Sequence, residues 1–421
     1  LAFGSYALYN DVSGSENIAI GNNSSYKNTK NNNLSIGNNS LHNNESGTQN
    51  ISLGNYSAHN SDINNVIAIG FQSQMNTGDV SSNISIGNFS LQKSQNNQND
   101  NIAIGYESMK NKRYGNKNTS IGNYSNVGSA NNAGDSNIAI GYETMFDSSC
   151  NMNIAIGNKA LKISSGDKNI AIGEDSMLST VLGNKNIAIG YKSLNENIDG
   201  SGNIAIGHQT QLKNKNSNNL SMGYMSLYTN VNGNLNTAVG YKSMMNADGY
   251  NLISNTTLGS ETLMSLIGDS EPNGKFNTAI GYKSMMDATG GNDNIAVGHQ
   301  SLLKNTSGSK NIALGNYALS ANTSGNVNVS LGYESLLKNL SGDYNTAIGN
   351  YSLHENTEGE KNTAIGVESL YNVITGNNNV AVGYKAQYLS NSTFNTSVGD
   401  DTLAQIESSE DSSYNTAIGF N

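Results

Sequence analysis

The sequence predicts an all-β chain folded as a parallel β-solenoid, with coils of about 17 residues. Three observations lead there. A short unit ending in Gly, read twice within "NIAIGNNSSYKNTKNNNLSIG" (17–37), recurs 25 times between Gly4 and Gly419 at a mean spacing of about 17 residues. Within each unit large apolar and small residues alternate, the period of two that belongs to a strand. Each run is closed by Gly after three or four residues, far short of the ten or so that a helix needs.

Numbered from that Gly, each position has its own rule. Position −1 is apolar in all 25 units, most often Ile, as in Ile20, Ile104 and Ile348. Position −2 is Ala or Ser except at Thr257, and position −3 is Ile, Val, Leu or Thr. Position +3 is Ser, Ala or Thr in all 24 complete units, and +4 is Leu or Met in 18 of them, which suits a second strand or a tight turn that inserts one residue into a core. The remainder is rich in Asn, Gly, Ser and Asp, the residues that tolerate turns.

Position −4 is Asn in 23 of 24 units, from Asn17 to Asn415, with Val66 the exception. Stacked coils lie about 4.8 Å apart, so Asn side chains in register form an amide ladder. At position +2, Glu143, Lys159, Asp175 and Lys192 alternate in sign over four successive coils, as do Lys242, Glu261 and Lys283, and then Glu368, Lys385 and Asp401. Stacking favours that alternation by about 0.2–1 kcal/mol per pair, although a solvated polar edge accounts for it as well. The 24 intervals predict one repetitive domain over residues 1–421, a slender rod on the order of 115 Å long in which each coil touches only its neighbours. The Ala/Ser face at −2 is expected to meet neighbouring copies about a threefold axis, with tight packing inside one coil as the alternative.

Composition supports this against a compact enzyme: Gly is 46 of 421 residues, Pro is one, Trp is absent, and hydrophobic residues make up 35%. The net charge of -10, with scattered basic residues, argues against nucleic acid and against an anionic membrane surface. No stretch approaches the 18 or more apolar residues of a membrane span. Leu1 and the repeat units at both ends predict a piece of a longer protein. Cys150 is the single cysteine, so no internal disulfide is possible.

The stretches "NIAIG", "NTAIG" and "NVAVG", followed by a small residue and Leu or Met, resemble the head repeats of trimeric autotransporter adhesins. They are more closely similar to the longer "NTAIGYxSL" repeats of phage and giant-virus tail-fibre proteins. The resemblance runs over essentially the whole chain, with a period longer than that of the adhesin heads. It implies a parallel β-roll, left-handed in the adhesins, assembled as a homotrimer on a cell or virion exterior.

Register also limits chemistry. His208 and His299 share position +1 but lie five coils apart, about 24 Å, whereas His42 and His59 at +5 of adjacent coils can stack; His354 shares that position far along the chain. Two imidazoles without a Cys or carboxylate ladder make a poor metal site. No calcium-roll, nucleophile-elbow or phosphate-loop motif is present, so the chain is expected not to be an enzyme, with no catalytic, metal or cofactor-binding residue and no cofactor. Tyrosines at +1 (Tyr106, Tyr142, Tyr191, Tyr224, Tyr241, Tyr282, Tyr333, Tyr384) and +2 (Tyr6, Tyr56, Tyr124, Tyr317, Tyr351) either stack on receptor sugars or pack against one another across coils. Lengthened intervals, holding "LIGDSEPNGKF" after Met264–Ser265 and "QIESSEDSSY" at 405–414, and those at 122–141 and 240–259, read as loops that bind a partner or as neutral insertions. Asn-x-Ser/Thr sequons such as Asn55-Tyr56-Ser57 and Asn123-Tyr124-Ser125 arise readily in so Asn- and Ser-rich a chain. The expected function is a structural and adhesive fibre shaft, extracellular or on a virion surface, with a glycan or protein receptor as partner. The alternative is a monomeric solenoid binding polysaccharide or ice, for which Thr237, Thr278, Thr346, Thr363, Thr396 and Thr416 at −3 speak, although Ile, Val or Leu interrupts them.

Overall fold

The structure, a computed structural model, describes residues 1–60, 62–76, 78–93, 98–112, 115–128, 134–247, 252–266, 274–389, 391–405 and 413–420. The described residues form a parallel β-solenoid with no helix. The chain divides into two compact units, Leu1–Ile206 and Gly207–Asn421. In the first, thirteen strands of two or three residues run from Ala2–Phe3 to Ile204–Ile206; in the second, twelve run from Leu220–Met222 to Thr416–Ile418. Within each unit every such strand pairs in parallel with the next, and −3, −2 and −1 meet −3, −2 and −1, as in Ile154↔Ile170, Ala155↔Ala171 and Ile156↔Ile172. Two further short pairs, Ile63–Asn64 with Val80–Ser81 and Asp147–Ser148 with Ile163–Ser164, add local second sheets.

Glycine anchors each coil for two separate reasons. Gly298 has φ +137°, a conformation closed to side chains, and a Cβ there would lie 2.5 Å from the Gly315 carbonyl oxygen in the next coil. Three other residues per coil, at −5, +2 and +4, adopt the left-handed conformation, for example Asn32 (φ 61°), Asn39 (φ 54°) and Leu41 (φ 49°). For a residue with a Cβ that costs about 1–3 kcal/mol. The amides so turned are all used: Asn32 donates to Ser15 O at 3.1 Å and Asn39 to Asn22 O at 2.9 Å in the preceding coil, and Leu41 to Ser57 O at 2.9 Å in the following one.

The small faces at −2 and +3 are the inside of the coil. Ala19, Ala103 and Ala313 are fully buried, and Ser40 at +3 meets Ser52 at −2 of the next coil, hydroxyl to hydroxyl at 2.7 Å, while also donating to the Ser52 carbonyl oxygen at 2.9 Å. This corrects the assignment of the Ala/Ser face to contact between chains: the size restriction at −2 comes from its facing +3 across an interior one side chain wide. Leu or Met at +4, such as Leu41, Met177 and Leu319, fills the remaining apolar space at 0% exposure.

The −4 asparagines are buried and ladder as expected. In the second unit Asn345 donates its amide N–H to Asn328 Oδ1 at 2.9 Å, Asn328 Nδ2 reaches Asn311 Oδ1 at 3.2 Å, and it also reaches the Gly342 carbonyl at 2.8 Å. Where Val66 interrupts the ladder, its N–H still bonds Asn50 Oδ1 at 3.1 Å, and Ile63, Val80, Ala58 and Leu41 pack with it into an apolar plug. A second ladder at +7 passed unread in the sequence. Asn322, Asn339 and Asn356 each donate Nδ2 to the Asn below, Asn305, Asn322 and Asn339, at 2.8 Å.

Gly298→Ala combines a forbidden backbone with a backbone clash, and is expected to destabilise the second unit by about 3 kcal/mol or more in urea unfolding. Asn328→Ala strands the buried Asn345 N–H and is expected to cost about 2–4 kcal/mol, with the loss of amide protection centred on the flanking coils in hydrogen exchange.

Candidate functional site

With −2 turned inward, period two turns −3 and −1 outward. These two aliphatic rows make one face of the solenoid within each unit. Ile18 is 39% exposed, Ile121 37%, Ile295 39% and Leu331 43%. At roughly 60 Å² of exposed surface per residue, the rows present on the order of 1,000 Å² in each unit, more than the few hundred Å² of an ordinary apolar patch. The threonines at −3 lie in the same outward row: Thr278, Thr346 and Thr363 are half-buried and Thr416 is exposed.

The edge beside this face, at +1 and +2, is aromatic and charged. Asn side chains at +1 cap the coil before them: Asn123 Oδ1 accepts from the Tyr106 N–H at 3.0 Å and Asn350 Oδ1 from the Tyr333 N–H at 2.9 Å. Rings run from coil to coil in an edge-to-face zigzag, Phe71, Phe89, Tyr106, Tyr124 and Tyr142, with centroids 5.4–5.9 Å apart. Elsewhere they stack, as Tyr224 does on Tyr241 at 5.5 Å. Most of these tyrosines thus pack across coils, and the ring faces within the stacks are occupied by one another.

Charges interlock with these rings. Lys192, Lys242, Lys283 and Lys385 at +2 hold their ammonium groups 5.1–5.2 Å from the centroids of Tyr191, Tyr241, Tyr282 and Tyr384. Hydrogen bonding to Glu334 pushes the Tyr333 phenol up to about 12. Of the alternating ladder, Lys283 pairs with Glu261 and Lys385 with Glu368, both at 3.6 Å. Glu143 instead takes Lys162 from position +5 of the next coil at 2.6 Å, which holds its carboxyl below the usual carboxylate range.

The histidines fall where register placed them. His42 and His59 lie 4.9 Å apart with rings tilted at 44°, and burial lowers the His59 pKa, with His42 adding to the effect. His208 stacks on Tyr224 and His299 on Tyr282. His354 sits between Glu355 at 2.8 Å and Glu334 at 3.2 Å, stacked on Tyr371. Among the described residues no group of three or more His, Cys, Asp or Glu is placed to hold a metal ion, and no helix is long and apolar enough to cross a membrane. The cores of all four lengthened intervals lie outside the described residues.

One charged group inside the coil escaped the sequence reading. Lys112 occupies the +7 slot where several other coils carry Asn, is 1% exposed, and bonds Asn126 Oδ1 at 3.3 Å. Burial pushes its ammonium down to about 8, while burial pushes the Cys150 thiol up to about 11. The polar Asn126 at +4, in place of Leu or Met, was the readable sign of it. In comparisons with known proteins, no protein-family model and no curated protein matches the chain.

Because Lys112 binds its proton less tightly folded than unfolded, the unfolded state holds more protons between about pH 8 and 10.5, and stability rises through that window. Cys150 works the other way between about pH 9 and 11, so the net rise is confined largely to pH 8–9. Lys112→Met is expected to abolish the rise and to stabilise the first unit below pH 8 by on the order of 3 kcal/mol, read from urea midpoints across pH.

Proposed function

We propose that this chain is a shaft segment of a structural, adhesive fibre, displayed on a virion, phage tail or cell surface, in which copies pack side by side as a homotrimer. The observation that carries this reading is the aliphatic face. Two outward rows of Ile, Val and Leu continue from coil to coil, although the interior is filled without them. An exposed apolar surface of this size matches the roughly 800 Å² that each partner commits to a stable interface. A threefold axis lets one flat face per chain be shared among three copies, and no polar ladder has to be opened. Reach comes from the stacking of coils, and a trimer presents each weak receptor contact three times. Extracellular placement and a glycan or protein receptor belong to the same reading.

A second reading rests on the outward threonines at −3. A flat face bearing Thr beside aliphatic rows also suits a monomeric solenoid that binds ice or an ordered polysaccharide. Thermal hysteresis from the isolated chain would favour it.

Light scattering after size exclusion is expected to give three times 44.5 kDa. A stable species of 44.5 kDa would sink the trimer. Ile121→Lys with Ile140→Glu puts opposite charges on neighbouring rungs of the face, which keeps the coils compatible with each other while removing the apolar surface. That pair is expected to shift the mass toward a single chain without lowering the urea midpoint by more than about 1 kcal/mol of stability.

A further inference from the structure

Most tyrosines that meet across neighbouring coils do so in one of two geometries, Tyr351–Tyr371, tilted at 53°, being neither. Tyr9–Tyr26, Tyr224–Tyr241 and Tyr371–Tyr388 are stacked, with centroids 5.3, 5.5 and 5.2 Å apart and interplanar angles of 2°, 14° and 23°. Tyr106–Tyr124, Tyr124–Tyr142 and Tyr333–Tyr351 meet edge to face, at 79°, 87° and 78°. Tyr9, Tyr224 and Tyr241 are exposed, while Tyr26, Tyr371 and Tyr388 are half-buried, so an oxidant in solution reaches each stacked pair.

We propose that the three stacked pairs are sites of oxidative cross-linking, each forming a dityrosine bond between adjacent coils when a haem peroxidase oxidises the phenols at the expense of hydrogen peroxide. Each phenol gives up one electron and one proton and becomes a phenoxyl radical. The peroxide takes the two electrons and two protons and leaves as two waters. Spin in a phenoxyl radical resides partly on the carbons ortho to oxygen, in orbitals perpendicular to the ring. A carbon–carbon bond forms when two such orbitals overlap face to face, and transfer of the displaced ring hydrogens to the oxygens as protons restores both aromatic rings. Stacked pairs offer those orbitals to one another. Edge-to-face pairs offer the rim of one ring to the face of the other.

The coil register holds the reacting rings together before oxidation. A backbone hydrogen bond runs alongside each pair: Asn10 N–H to Tyr26 O at 3.1 Å, Lys242 N–H to Tyr224 O at 2.9 Å, and Asn372 N–H to Tyr388 O at 3.0 Å. Coupling is thereby intramolecular, with the entropy of bringing the rings together already spent in folding.

The test treats the dilute full chain with a haem peroxidase and hydrogen peroxide, then maps cross-linked peptides by mass spectrometry. Peptides joined at Tyr9–Tyr26, Tyr224–Tyr241 and Tyr371–Tyr388, each lighter than the sum of its parts by two hydrogens, are expected at least several-fold above those joined at Tyr106–Tyr124 or Tyr333–Tyr351. Tyr241→Phe is expected to remove its own link and leave the other two. Unfolding in urea is expected to erase the preference. Links spread evenly over stacked and edge-to-face pairs, or formed only between chains, would overturn the proposal. So would an absence of links while N-acetyltyrosine in the same vessel is coupled.

Discussion

The narrowness of the interior governs the rest of the structure. Positions −2 and +3 face each other so closely that Ser40 and Ser52 touch hydroxyl to hydroxyl. Only Ala, Ser or Thr fits such a gap, and in most coils the large apolar side chain that is buried therefore comes from +4, at the bend. Leu41 and Leu319 reach it only by taking up a left-handed backbone. The corners that no apolar group fills are occupied by polar side chains, Asn at −4 and Asn, Ser or Thr at most such +7 positions, and the Asn amides bond both one another and the backbone. Having no room inside, the β-branched residues at −3 and −1 stand on the outer surface.

Each coil is unfavourable by itself. Three left-handed residues and a Gly in a region closed to side chains are set against few internal contacts, and almost every backbone amide that is turned aside bonds to the coil above or below. Stability is a property of neighbouring coils and accumulates along a unit. The polar ladders contribute through the cost of breaking them more than through the net gain of each bond, since an amide stranded in this interior has no water to turn to.

Period, parallel register and the −4 ladder were legible in the sequence because each is a statement about identity at a fixed interval, and in-register stacking brings like residues together. Which face of the strand points inward was not legible from the strand alone. A row of Ile beside a row of Ala reads as core beside contact face, and the usual association of large apolar residues with the interior points the wrong way. The deciding signal lay outside the strand: +3 carries the same size limit as −2, so the two positions oppose each other. The +7 ladder was readable from Asn305, Asn322, Asn339 and Asn356, but spacing varies most in that half of the coil and masks the interval. Lys112 was hidden for a related reason, since a lysine among turn residues ordinarily projects into water.

Uniform register carries a hazard that only irregular coils remove. When each strand matches the next residue for residue, sliding one segment along its neighbour by a whole coil restores almost every contact, and the chain has little means of counting its own turns. The plug of Leu41, Ala58, Ile63, Val66 and Val80 breaks that degeneracy. Displaced by one coil, Val66 would stand where a neighbouring Asn must both donate and accept, and Ile63 would enter a slot that most other coils keep for Gly. The interruption of the ladder thus acts as an index mark, by which an otherwise monotonous stack distinguishes its correct alignment from its near copies.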